Sequence, residues 1–217
     1  MNSNMIKVYG ADCRSVMILA HGAGAPMDSS FMKTLAEALD AQGIGCVRFE
    51  FPYMQKRRED GKKRPPDRQP VLLEHFRTVL EQVRAEVGPD CRVLIGGKSM
   101  GGRMASLLAS EDSEGIDGVV CYGYPFHAPG KLDKWRVGHL PEVQCPLMVI
   151  QGTRDPFGKR QEVQERGAIA GLSRLVWLEG GNHDFQPLKK QPESQRQLIE
   201  SAAQATRRFV DECIVGA

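Results

Sequence analysis

Three short apolar runs constrain this chain most: residues 92–96 (RVLIG), 118–122 (GVVCY) and 146–151 (PLMVIQ). A strand with one wet face alternates apolar and polar residues, so runs without alternation belong to strands buried on both faces. That requires a parallel sheet covered by helices on each side. Residues 15–19 (SVMIL), 46–49 and 174–178 (RLVWL) add three more strands, and 5–9 reads as an edge strand before them. Between these runs lie stretches of helical period. Residues 29–42 place Phe31, Leu35, Ala38 and Leu39 on one stripe that stops at Gly43. From Gln69 a long helix carries Leu72, Leu73, Phe76, Val79, Leu80, Val83 and Val87 on one face, with Gly88-Pro89 as its stop. Residues 100–110, 159–169 and 193–213 complete the helical set. The alternation predicts a three-layer α/β fold, mostly parallel, with helices on both faces.

A chain of 217 residues, 41% of them hydrophobic, has ample material for one large core, so a single domain over residues 1–217 is expected. Twenty-nine Lys and Arg against twenty-seven Asp and Glu leave a net charge of +2, which removes any global electrostatic argument for nucleic acid. No apolar run approaches a membrane span, and residues 1–10 lack the layout of a secretory leader. A cytoplasmic protein without membrane partners is expected. Six scattered cysteines with no C-x-x-C pair suggest reduced, packed thiols rather than a metal or redox site. The one biased segment is 56–68, KRREDGKKRPPDR, with seven basic and three acidic residues. Gly61 and Pro65-Pro66 predict a loop there, either simply solvated or an electropositive rim beside the site.

Gly97-Lys98-Ser99-Met100-Gly101 matches G-x-S-x-G, directly after one buried strand and directly before a helix. By chance the pattern arises about 0.1 times in a shuffled chain of this composition, and its strand-to-helix context lowers that several-fold. A nucleophile elbow forces its serine into a strained turn, so the residues two before and two after it must lack side chains. Gly97 and Gly101 meet that need. A phosphate-gripping loop is disfavoured because Arg92 stands where a Walker pattern requires glycine.

A serine hydroxyl needs a base to take its proton, and the base needs a carboxylate to fix its tautomer. On this fold the chain order is serine, acid, histidine, with acid and base on loops after later strands. Asp155, in QGTRDP, follows the strand ending at 151, and His183, in GGNHDF, follows the strand ending at 178. Asp184 and Glu179 are rival acids, but both adjoin the base in sequence and reach back to it poorly. The small-residue loop Ala20-His21-Gly22-Ala23-Gly24-Ala25 follows the first central strand, where an oxyanion loop belongs. The amides of Ala23 and Met100 are its expected donors, with His21 a structural residue. Tyr124, Phe126, His127 and Trp135, on the loop after residues 118–122, are candidates to line a substrate site or to pack against the sheet edge.

With HGAGAPMDSSFM, FEFPYM, GGKSMGGRMAS, GYPFHAPGK, QGTRDPFG and GGNHDF all in order, the chain resembles the alpha/beta-hydrolase superfamily from about Val16 to Val210. More narrowly it resembles the dienelactone-hydrolase-like branch that includes testis-expressed protein thirty and the third subunit of the non-specific-lethal complex. The resemblance implies a compact serine hydrolase with Ser99, Asp155 and His183 as triad, needing no metal and no cofactor. Lids of larger relatives are inserted where this chain has only residues 123–145, so no large lid domain is expected. The expected activity is hydrolysis of a small to medium carboxylic ester. A thioester is the chemical alternative, and a non-enzymatic interaction module on the same scaffold is the alternative of another class.

Overall fold

The computed structural model describes residues 5–8 and 13–215, so the sequence readings on residues 1–4 and on Tyr9 lie outside the described residues. Seven strands form one sheet in the order β1-β3-β2-β4-β5-β6-β7. They are β1 (Met5–Val8), β2 (Ser15–Ala20), β3 (Gly45–Phe49), β4 (Arg92–Lys98), β5 (Gly118–Tyr122), β6 (Leu147–Gly152) and β7 (Arg174–Leu178). Only β1 among the described strands runs antiparallel, paired with β3. The others are parallel, so their C-terminal ends share one edge.

Period-two alternation sorts the strand residues between two cores. Val16, Ile18, Val93, Ile95, Val119, Cys121, Leu147 and Val149 face one layer, which holds α3 (Gln69–Val87), α4 (Met100–Glu111) and α5 (Arg160–Arg166). Met17, Leu19, Leu94, Val120, Tyr122, Met148 and Ile150 face the other, with α1 (Ser30–Asp40) and α6 (Gln195–Val210). Both faces are dry, which is why the strands read as uninterrupted apolar runs. The three-layer fold is therefore as expected from the sequence. No helix among the described residues is long and apolar enough to cross a membrane, and all six cysteines are free thiols.

Two sequence readings change. Segment 56–68 is not all loop, because its first part belongs to a helix, α2 (Pro52–Asp60). Pro52 occupies the first helical turn, where its missing N–H costs nothing, and Gly61 closes the helix at φ 70°. The glycine therefore ends a helix rather than preventing one. The helix expected over 159–169 is shorter: α5 stops at Arg166, before Gly167. The stretch between β5 and β6 contains a short 3-10 turn, Leu140–Glu142, and no lid domain.

Candidate active site

The site begins where β4 runs two residues further than its apolar stretch, through Gly97 and Lys98. These pair with Ala20 of β2 and with Cys121 and Tyr122 of β5, which carry the strand up to the turn. Ser99 follows at φ 53° and ψ −115°, a left-handed backbone for a residue with a side chain. Such a residue stores strain on the order of 1–3 kcal/mol and persists only where its surroundings over-determine it. Here the Ser99 N–H donates to the Tyr122 carbonyl at 3.0 Å, and the Ser99 carbonyl accepts from the Arg103 N–H at 3.0 Å.

The end of β2 explains the two glycines of the elbow. A Cβ on Gly97 would stand 2.3 Å from the Ala20 carbonyl oxygen, and one on Gly101 would stand 2.4 Å from the same atom. Backbone has no rotamer with which to yield. Gly101→Ala is therefore expected to destabilise the fold by about 3 kcal/mol, and to lower Tm by roughly 6 to 12 °C for a chain of this size. Thermal unfolding monitored by circular dichroism checks this, with Gly24→Ala as control, since a Cβ there meets nothing within 4 Å.

His183 lies on the loop after β7, with its Nε2 2.9 Å from Ser99 Oγ and its Nδ1 2.8 Å from Asp155 Oδ2. The polarity of this chain follows from its ends. A fully buried carboxylate can only accept, so Nδ1–H donates to it and Nε2 is left to accept the Ser99 hydroxyl proton. Asp155 is further held by the Phe157 N–H on Oδ1 at 2.9 Å and by Gln151 Nε2 on Oδ2 at 3.0 Å. The Phe157 ring packs 4.4 Å from the imidazole, centre to centre. On the base loop, Asn182 Oδ1 accepts the Asp184 and Gln186 N–H groups, while the buried Phe185 pins the loop against Phe31. The rival acids face elsewhere: Asp184 pairs with Lys98, and Glu179 with Arg160.

The glycine-rich loop after β2 is tied down from below. His21 is buried, and its Nδ1–H donates to the Gly22 carbonyl while Nε2 accepts the Phe51 N–H. Burial pushes its pKa below the usual histidine value, consistent with a neutral ring whose two nitrogens are both committed to backbone. Tyr53 donates its hydroxyl to the Gly22 and Ala23 carbonyls. Further along, the fully buried Glu50 accepts from the Met27 N–H and from Arg58, which also reaches Asp28. Arg58 is thus a strut for this loop, and Arg64 is paired with Asp60, so neither is a free charge at a rim. Ala23 borders the cleft, and Met100 is the first residue of α4, where a helix leaves its amide without an intrahelical partner.

The cleft over Ser99 has a volume of about 330 Å³. Its walls are Ala23 to Ala25, Phe31 and Met32 on one side, and Phe157, His183 and Asp184 on the other, with Lys98 beside the serine. The candidate lining residues Tyr124, Phe126, His127 and Trp135 do not border it. The first three are fully buried, and Tyr124 and Phe126 belong to the core that packs against α3 and α4. Tyr124 donates to the Arg136 carbonyl, Tyr124 and Phe126 stack edge to face, and Trp135 covers Phe126 and His127. The packing alternative weighed for these residues is the one the structure adopts. The wall residues Phe31 and Phe157 lie within the segments HGAGAPMDSSFM and QGTRDPFG, six residues past Ala25 and two past Asp155.

Two other features compete for attention and fall short. Ser106 Oγ lies 2.8 Å from His139 Nε2, but the buried hydroxyl donates to the Arg103 carbonyl, so here the histidine is the donor and not a base. A larger hollow of about 600 Å³ lies beyond the base loop between Arg154, Leu188 and Gln195, away from Ser99 and Asp155.

A strained serine at a strand-to-helix elbow, with histidine and aspartate from the following loops, defines the alpha/beta-hydrolase class. The family described as "Alpha/beta hydrolase domain" matches residues 13–211, and the chain belongs to it. Among solved structures it is similar to a dienelactone hydrolase from Anabaena variabilis, at 20% identity and a TM-score of 0.75 over 97% of this chain and 91% of that one. An alpha-beta serine hydrolase homologue from Coxiella burnetii matches at 18% identity and 0.70, over 95% and 89%. A lid-less alpha/beta serine hydrolase from Xanthomonas campestris matches at 19% identity and 0.70, over 99% and 97%. At these identities the likeness carries the fold.

Proposed function

We propose that the chain is a serine hydrolase of one domain that cleaves small to medium carboxylic esters through an acyl-serine intermediate. The observation that carries this reading is the unbroken hydrogen-bonded line from Ser99 through His183 to the buried Asp155. In the first step Ser99 Oγ attacks the ester carbonyl while His183 Nε2 takes the hydroxyl proton. The oxyanion that forms is met by the amides of Ala23 and Met100, and the alkoxide leaves with the proton from Nε2. Water then repeats the sequence on the acyl-enzyme and frees the acid. No metal or cofactor takes part in this scheme. Asp155 remains a carboxylate throughout and stabilises the imidazolium.

A pure interaction module would gain nothing from the features assembled here. A left-handed serine and a fully buried aspartate each cost free energy, and a scaffold can avoid both with ordinary residues. The motifs further support a place in the dienelactone-hydrolase-like branch, beside testis-expressed protein thirty and the third subunit of the non-specific-lethal complex. We also infer action in the cytoplasm on small soluble esters, with neither membrane nor nucleic acid as partner.

The cleft volume bears on substrate size. About 330 Å³ is at the lower end of ligand pockets, which span roughly 300 to 1,000 Å³. Across p-nitrophenyl esters of graded acyl length, kcat/KM is expected to peak at two to six carbons and to fall at least about tenfold by twelve carbons. The matching thioester series decides the leaving atom. Faster turnover of every thioester than of its ester, normalised to their uncatalysed rates, would make the enzyme a thioesterase. No turnover of either series would remove the hydrolase reading.

A further inference from the structure

Lys98 is an unexpected residue to find beside a nucleophile. Its side chain is 8% exposed and lines the cleft, and its stem passes under Gly22 of the oxyanion loop. Its ammonium lies 5.5 Å from the centre of the Phe31 ring and 3.2 Å from Asp184 Oδ1. A buried ammonium is costly wherever an apolar side chain of similar length would fit, so its retention needs a reason. Burial lowers its pKa, and the charges of Asp184 and Asp155 oppose that shift. Lys98 directly precedes Ser99 in the chain, and Asp184 directly follows His183.

The geometry points to Lys98 and Asp184 as a positioning pair, an ion pair that clasps the elbow to the base loop in the register at which Ser99 Oγ and His183 Nε2 meet. This rests on the hydrolase reading above. The base loop is otherwise held by its own Asn182, by Phe185 against Phe31, by bonds that join Gly180 and Gly181 to Thr153 and Arg154, and by Gln195 of α6 on the Asp184 carbonyl, and none of these reaches β4. Serine and histidine must stay within hydrogen-bond reach, and displacement by about 1 Å can cost on the order of a hundredfold in rate. An ion pair one residue away from each partner is a short lever on that distance. Asp184 is 64% exposed, so its removal leaves the core intact.

The test uses the whole chain and a small uncharged fluorophosphonate, whose attack on Ser99 does not depend on substrate charge. Asp184→Asn is expected to slow labelling and kcat about tenfold with KM within about twofold, and Asp184→Glu to restore most of the loss. Lys98→Met should match Asp184→Asn, and the double variant should be no slower than the worse single, because the two act as a unit. Tm is read alongside, since a merely structural bond would lower it and leave the labelling rate of folded protein unchanged. Labelling of Asp184→Asn at the wild-type rate would overturn the clasp. So would multiplicative losses in the double variant, or a Lys98→Met defect confined to KM for carboxylate-bearing esters, which would make Lys98 a substrate contact. In each of these the wild type still labels at Ser99. A wild type that does not label would overturn the hydrolase reading itself, and the clasp with it.

Discussion

Ser99→Ala is expected to abolish covalent labelling by a fluorophosphonate and to lower ester turnover by about three or more decades. The size of the effect follows from what is removed. Without Oγ no acyl-enzyme forms, and what remains is the cleft acting on a bound ester and water, with the amides of Ala23 and Met100 as the proposed oxyanion donors. The variant should fold as well as the wild type or slightly better. Ser99 is held at φ 53° by its backbone bonds to Tyr122 and Arg103, and its side chain contributes only the contact to His183. Mass spectrometry of the labelled tryptic digest locates the adduct. Normal labelling of Ser99→Ala, or an adduct mapped elsewhere in the wild type, would refute the assignment.

The parts of this fold that were legible in the sequence are those where one physical demand acts alone. β5 and β6 lie between two dry helical layers, so their residues are apolar except Gln151 near the end of β6, whose buried amide bonds Asp155, and the bounds expected for β5 coincide with those observed. The elbow glycines were legible for a similar reason, since a backbone oxygen leaves no alternative residue at 97 or 101. Helix α2 was not legible because it has no apolar stripe. It buries only Tyr53 and Met54, and the rest of its length is charged and solvated or engaged in the Arg58 strut. The aromatic loop failed differently. Chain order placed Tyr124, Phe126 and His127 at the catalytic edge, but the direction of their side chains depends on how the loop folds back, which no local pattern encodes. Phe157 enters the cleft because the turn that presents Asp155 also uses the Phe157 N–H to hold that carboxylate.

The second large effect concerns the base and its orienting acid. His183→Ala should lose turnover about as completely as Ser99→Ala, and the double variant should be scarcely worse, since neither residue does chemistry without the other. Asp155→Asn is the sharper experiment. An amide in place of the carboxylate can present its NH2 to Nδ1, which then accepts, moving the imidazole proton to Nε2. A protonated Nε2 cannot take the Ser99 hydroxyl proton, so kcat should fall by about four decades while the shape of the site is kept. The buried surroundings of residue 155 reinforce this choice. The Phe157 backbone N–H cannot turn away and holds the new oxygen at the Oδ1 position, which leaves the new NH2 toward the histidine at the expense of the bond that Gln151 Nε2 donates to Oδ2. Asp184→Asn leaves the tautomer untouched and should cost only the tenfold expected from the clasp. If Asp184→Asn gave the four-decade loss and Asp155→Asn a mild one, the acid would be Asp184 and the assignment of Asp155 would be wrong.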